Sequence, residues 1–173
     1  MNARFELYKI EHAGLAFNFK VNPSSCKNPE HYENYLKFIA INDKAEGRGT
    51  THILLDNEHI LGFITLRASS LMRDVDGKTY GDAALEIAEI AVCQTDERKG
   101  FGRLFVDLAL SIASQLNNTA LGIRYITLCA DPSAVDFYKK LGFKPVADYG
   151  EIPREGWNDN CVPMFAKLPT QYH

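Results

Sequence analysis

The chain has 173 residues, 46% hydrophobic and 24% charged, with a formal net charge of -3 at pH 7 and a sequence pI of about 5.9. That length and balance describe one globular domain over 1–173 with a core of its own, and they exclude bulk electrostatic attraction to nucleic acid or to a membrane surface. The opening "MNARFELYKIEHAG" mixes apolar and charged residues and no later run reaches spanning length, so a cytoplasmic protein without a membrane segment is expected.

In chain order, "RFELYKI" (4–10) reads as a first strand. "PEHYENYLKFIAINDKAE" begins with Pro29 and carries Tyr32, Tyr35, Leu36, Ile39 and Ala40 at helical spacing. "TTHILLD", Asn57 and Glu58, then "HILGFITLRA" form a predicted hairpin, followed by a polar loop over 69–82, "SSLMRDVDGKTYGD". The apolar run "AALEIAEIAV" (83–92) has the length of a buried strand and carries two glutamates, Glu86 and Glu89.

Beyond a glycine-containing turn, Phe101, Leu104, Phe105, Leu108, Ala109, Ile112, Ala113 and Leu116 lie on one helical stripe. "GIRYITLCA" is a further strand. "DPSAVDFYKKLGF" opens with Asp131 at the N-cap and Pro132 at the first helical position, and closes at Gly142. "FKPVADY" and "CVPMFAKLP" read as two last strands around a polar loop. This order implies an α/β or α+β sheet with helices on both faces. The four cysteines, Cys26, Cys93, Cys129 and Cys161, include no C-x-x-C pair and stand at no zinc-like spacing to histidine, so reduced thiols and no metal are expected.

The turn "DERKGFGRLF" (96–105) carries the clearest chemistry. A strand leads into Arg98, Lys99, Gly100, Phe101, Gly102 and Arg103 at a helix start, where free amides, glycines that admit close backbone approach and nearby cations together suit a pyrophosphate. The Gly-Lys-Ser/Thr of a Walker loop and the third glycine of a dinucleotide fingerprint are absent. With "AVDFYKKLGF" (134–143) one strand and one helix downstream, residues 84–148 resemble the GNAT superfamily of acetyl-CoA-dependent N-acetyltransferases. Its pattern is an apolar strand, Gln/Arg-x-x-Gly-x-Gly/Ala, a helix, a strand and a "FY..LGF" helix end. The family's Gln or Arg falls here at Glu97, whose carboxylate is expected to turn away to solvent.

The resemblance implies a GNAT fold: a central mixed, mostly antiparallel sheet, splayed at the acetyl-CoA site. It implies that Ile90, Ala91 and Val92 offer backbone groups to pantetheine and the thioester carbonyl, while 98–103 hold the pyrophosphate. It assigns Tyr138 as the acid that protonates the departing thiolate. Glu86, counted back from Gly100, matches the glutamate of some histone-acetylating members, whereas Glu89 lies nearer the thioester end of the strand; either is a candidate base. Burial of both unpaired would be costly, so at least one is expected to face the cleft. No activated nucleophile accompanies Cys93, so direct transfer to the amine is expected. His12, His31, His52 and His59 read as surface or turn residues, and Trp157 as a loop anchor or an acceptor-pocket wall.

The early helix, "GRGTTHILLDNEHILGFITLRASSL", "EIAV" and "PMFAKLP" are also similar to the GNAT-type toxins, which acetylate the amine of aminoacyl-tRNA and work with an antitoxin. The loops 74–82 and 148–160 are acidic rather than basic, so charge favours a primary amine of a small molecule or peptide over tRNA. A non-catalytic acetyl-CoA-binding module is the third reading. The family also admits a homodimer.

Overall fold

Residues 2–149 and 161–169 are described by the structure, a computed structural model. Among the described residues seven strands, β1 (Arg4–Leu7), β2 (Thr50–Asp56), β3 (His59–Val75), β4 (Lys78–Val92), β5 (Tyr125–Ala130), β6 (Lys144–Pro145) and β7 (Val162–Lys167), form a sheet in the order β1-β2-β3-β4-β5-β7-β6, and the chain divides into two compact units, Met1–Arg67 with Ile87–Asp107 and Ala68–Glu86 with Leu108–His173.

In the first unit, β1 (Arg4–Leu7) pairs antiparallel with β2 (Thr50–Asp56), Arg4 opposite Leu55. The predicted hairpin forms: Asn57 takes φ +54°, and β2 pairs antiparallel with β3 (His59–Val75), with a register shift between Leu54 and Leu55. The alternation of β2 sends Ile53 and Leu55 into a core shared with Phe19, Tyr35, Leu36 and Phe63. After β1 the chain makes a 3-10 turn and α1 (Ala13–Ala16) in place of the rest of the predicted strand.

The helix predicted from Pro29 is three segments: α2 (Pro29–Asn34), a π-helical turn over Tyr35–Ile39, and α3 (Ala40–Ala45). Asn28 caps α2, its Oδ1 accepting from His31 N at 3.3 Å. The wider π turn shifts the phase of the stripe, so Tyr35, Leu36 and Ala40 are buried while Ile39 is turned outward, 42% exposed.

In the second unit, the predicted polar loop over 69–82 is strand. β3 continues to Val75 and β4 (Lys78–Val92) begins two residues later, with Asp76 and Gly77 at φ +51° and +73°. Two consecutive left-handed residues make the tight hairpin turn that an Asp-Gly pair favours, and this local signal outweighs the polarity of the segment. β5 (Tyr125–Ala130) pairs antiparallel with β7 (Val162–Lys167), and β7 with the two-residue β6 (Lys144–Pro145). Leu71, Ala84, Tyr125 and Val146 form a core cluster with Phe165 packed against it.

Two predicted helices form as read. α4 spans Phe101–Thr119 and buries Phe101, Phe105, Val106, Ala109 and Ala113, although Leu104 of the predicted stripe is 44% exposed. α5 (Val135–Lys140) follows a 3-10 turn in which Asp131 Oδ1 accepts from Ser133 N at 2.9 Å, and Gly142 closes it at φ +89°. The expectation of four reduced thiols is corrected: Cys129 and Cys161 form a disulfide, whereas Cys26 and Cys93 take no part in one. The cause is topological, since antiparallel pairing places Cys129 opposite Pro163, two residues from Cys161. Trp157 and the acidic positions 151, 155 and 159 lie outside the described residues.

Candidate active site

The first unit holds the glycine turn, the end of β4 and Glu89. The turn leaves the 3-10 segment Gln94–Asp96 and reaches α4 through two left-handed residues, Arg98 at φ +61° and Gly100 at φ +88°. Leu104 N donates to Gly100 O at 3.2 Å, so Gly100 caps the helix and the amides of Phe101, Gly102 and Arg103 have no acceptor within it. Alternating handedness beside a helix N-terminus builds an amide concavity suited to an anion. A non-glycine residue at positive φ is strained, and at Arg98 that strain sits in the turn itself.

The basic residues of the turn divide. Arg98 is exposed; Arg103 lies 3.7 Å from Asp107 on the helix surface; Lys99 donates from Nζ to Asp96 Oδ1 at 2.8 Å. Asp96, only 5% exposed, also accepts from His59 Nε2 at 2.7 Å and Thr95 Oγ1 at 2.8 Å. Burial alone would raise its pKa, but the hydrogen bonds from Lys99, His59 and Thr95 and the charge on Lys99 overcome that and hold it at about 2. Cys93 Sγ completes a group with His59 and Asp96 whose potential metal-ligand atoms lie within 4.8 Å of one another. Glu97 does not simply turn to solvent: its Oε2 accepts from Asn22 Nδ2 at 2.9 Å and Ser25 Oγ at 3.0 Å.

At the end of β4, Ala91 is buried and Ile90 and Val92 are half-buried. Cys93 N donates to Leu61 O and Gln94 N to Lys20 O, both at 2.8 Å, anchoring the chain just beyond Val92. Gly62 of β3 makes this packing feasible. A Cβ there would meet Phe105 Cε2 at 2.6 Å and Ala91 O at 2.7 Å.

Glu89, one of the two candidate bases, is paired with a histidine of α2. His31 Nε2 on α2 donates to it, 3.0 Å from each carboxylate oxygen, with side-chain exposures of 46% for His31 and 18% for Glu89. The hydrogen bond to Glu89 raises the His31 pKa against the opposing effect of burial. Reading His31 as a plain surface residue missed this contact, and His12 is corrected too: it is buried, its Nδ1 accepting from Lys9 N at 3.1 Å.

Glu86 and Tyr138 belong to the second unit. Glu86 is half-buried between buried Leu85 and Ile87. Tyr138 is buried near the end of α5, its ring edge-on to Phe137 at 5.0 Å and to Phe143 at 5.7 Å. Its carbonyl accepts from Leu141 N and Phe143 N, which ties the helix end to the turn at Gly142. No helix among the described residues is long and apolar enough to cross a membrane.

A strand, a basic turn with left-handed residues and a long helix follow one another here, the order that the resemblance to the GNAT superfamily implies. Residues 47–145 match the family model described as "Acetyltransferase (GNAT) domain", more than half of the chain, and the protein belongs to that family. It is an acetyl-CoA-dependent acetyltransferase. No curated protein matches its sequence.

Solved structures share the fold at low identity. A Tyr→Phe mutant of the AtaT toxin is 18% identical with a TM-score of 0.75, covering 96% of this chain and 90% of its own. The same mutant bound to the C-terminus of the antitoxin AtaR and acetyl-CoA is 19% identical with a TM-score of 0.67, covering 97% and 94%. AtaT complexed with acetyl-methionyl-tRNAfMet is 19% identical with a TM-score of 0.71, covering 94% of each chain.

Proposed function

We propose that this chain, acting over 1–173 as one functional domain, transfers the acetyl group of acetyl-CoA directly to the α-amino group of an aminoacyl-tRNA, and that an antitoxin restrains it. The observation that carries this reading is the end-to-end likeness to AtaT complexed with acetyl-methionyl-tRNAfMet. A primary amine of a small molecule or peptide is the second reading, favoured by the net charge of -3, which gives no general attraction to RNA.

Either acceptor needs the same steps. The amides at 101–103, with Arg98 and Arg103 beside them and Lys99 tied to Asp96, hold the pyrophosphate, and Ile90, Ala91 and Val92 receive the pantetheine arm and the thioester carbonyl by backbone hydrogen bonds. The amine must lose its protons near the β4 carboxylates, Glu86 and Glu89. Its nitrogen then attacks the carbonyl carbon, and the thiolate leaves with a proton from the Tyr138 phenol.

Mass spectrometry of charged tRNA incubated with the protein and acetyl-CoA tests the reading, with Tyr138→Phe as the paired variant. N-acetylated aminoacyl ends are expected from the native protein. The variant is expected to lose about 10²–10⁴-fold in rate, the usual contribution of a general acid, with acetyl-CoA binding retained. Unmodified charged ends beside rapid acetylation of a polyamine, amino acid or peptide would establish the second reading instead.

A further inference from the structure

We infer that His31 is the group that takes the proton from the acceptor amine, with Glu89 as its positioning carboxylate; this rests on the acetyl-transfer reading above and assigns the base within it. An α-amino group has an ordinary pKa of about 7.7–8.0, so near neutral pH most of it is protonated and unable to attack a thioester. A base is therefore useful, and the strand residue just before the Ile90–Val92 segment is where one is wanted. Glu89 occupies that position, but both its oxygens face the same imidazole nitrogen at 3.0 Å and its side chain is only 18% exposed.

The imidazole is the accessible end of the pair. An ionised carboxylate only accepts, so His31 Nε2 carries the hydrogen that joins them, which leaves Nδ1 of the neutral ring as the free acceptor. Among the described residues none donates to Nδ1. The ring is held from its own helical run by Tyr32, edge-on at 5.2 Å, and Tyr35 at 6.5 Å, and Asn28 caps the helix through the His31 amide. The titratable groups facing it are Glu89 from β4 and these two phenols. A half-buried carboxylate thus fixes the tautomer and orientation of an exposed imidazole, the logic by which a carboxylate orients a general-base histidine in hydrolases. The π turn that directly follows α2 is a local irregularity of the kind found at functional sites.

The step balances without another reactant. The ammonium proton passes to His31 Nδ1, and the nitrogen lone pair forms the new N–C bond. The C–S bond breaks, the thiolate takes a proton from the phenol, the acylated nitrogen gives its second proton to the resulting phenolate, and the imidazolium returns its proton to solvent.

The test is the pH dependence of kcat/KM for acetylation of charged tRNA by the native protein, His31→Gln, His31→Ala and Glu89→Gln, with acetyl-CoA affinity measured alongside. His31→Gln is expected to lose about 10²–10⁴-fold and the ascending limb of the profile. Glu89→Gln is expected to keep a limb but move it to lower pH, because the hydrogen bond that raises the histidine is gone. Added imidazole is expected to restore part of the His31→Ala rate. An unchanged limb with a rate within twofold in His31→Gln would overturn the assignment. So would losses that merely track acetyl-CoA affinity or fail to respond to imidazole. If the native protein acetylates only a small amine, the tRNA reading falls and the same variants on that amine still decide the base; acetylation of no amine overturns both.

Discussion

Replacing Gly62 by alanine should strike the fold and the cofactor strand together. The added methyl carbon would stand 2.6 Å from Phe105 Cε2, 3.0 Å from Phe105 Cζ and 2.7 Å from Ala91 O. Carbon pairs rest at about 3.5–4.0 Å, so the first contact is about 1 Å too short. Neither neighbour yields readily. Phe105 is fully buried and edge-on to Phe5 at 5.5 Å, and Ala91 O is backbone in β4. Overpacking of this kind costs about 1–3 kcal/mol, and with a urea m-value of about 1–3 kcal/mol/M the unfolding midpoint should fall by roughly 1 M. Acetyl-CoA affinity should fall as well, because Ala91 moves. Gly14→Ala is the control, since nothing lies within 4 Å of that position, and it should leave the midpoint level or slightly higher. In Gly62→Ala/Phe105→Leu, removal of the ring edge should make the double variant more stable than the sum of its parts. A Gly62→Ala midpoint equal to that of the native protein would refute this account of the packing.

Two further outcomes follow from the same unit and its neighbour. Asp96 has its pKa lowered from 3.8 to about 2, so the stability it contributes, about 2 kcal/mol, is present above pH ~4 and lost as the pH falls through ~2. Asp96→Asn should remove that part of the acid dependence and lower stability at neutral pH, which melts across pH would show; an acid limb identical to the native one would contradict it. The Cys129–Cys161 disulfide closes a separation of 32 residues, for which loop entropy gives about 3–4 kcal/mol. Dithiothreitol should lower the urea midpoint of the native protein and leave Cys129→Ser unaffected; no response in the native protein would argue against the bond.

What could be read from the sequence was local. α4 announces itself by its apolar stripe, and α5 by Asp131, Pro132 and Gly142 at its ends, because caps and periodicity act within a few residues of chain. The hairpin turn at Asp76 and Gly77 was equally local, but the polar residues around it resemble a loop unless the Asp-Gly pair is given priority. The turn into α4 was legible for the same reason, with Gly100 taking the left-handed conformation that a glycine there suggests. The pairs between residues distant in the chain were not. Glu89 lies 58 residues from His31, Asp96 lies 37 from His59, and Cys129 lies 32 from Cys161. No periodicity or spacing rule links such positions, and only the packing of α2 and of neighbouring strands brings them together.

The basic look of "DERKGFGR" also overstates the charge the turn offers a ligand. Lys99 is held by Asp96, and Glu97, where the family carries Gln or Arg, accepts from Asn22 and Ser25 rather than standing free. Both carboxylates therefore act on the shape of the turn: buried Asp96 ties Lys99 and His59 together, and Glu97 ties the start of the turn to the segment around Asn22. What remains for an anion is the exposed Arg98, Arg103 at the helix edge and the amides of 101–103. Those amides belong to backbone already bent into place by left-handed residues at 98 and 100, so binding requires little reorganisation of the turn. A carboxylate at position 97 is compatible with a pyrophosphate cradle because its charge is used to build the turn.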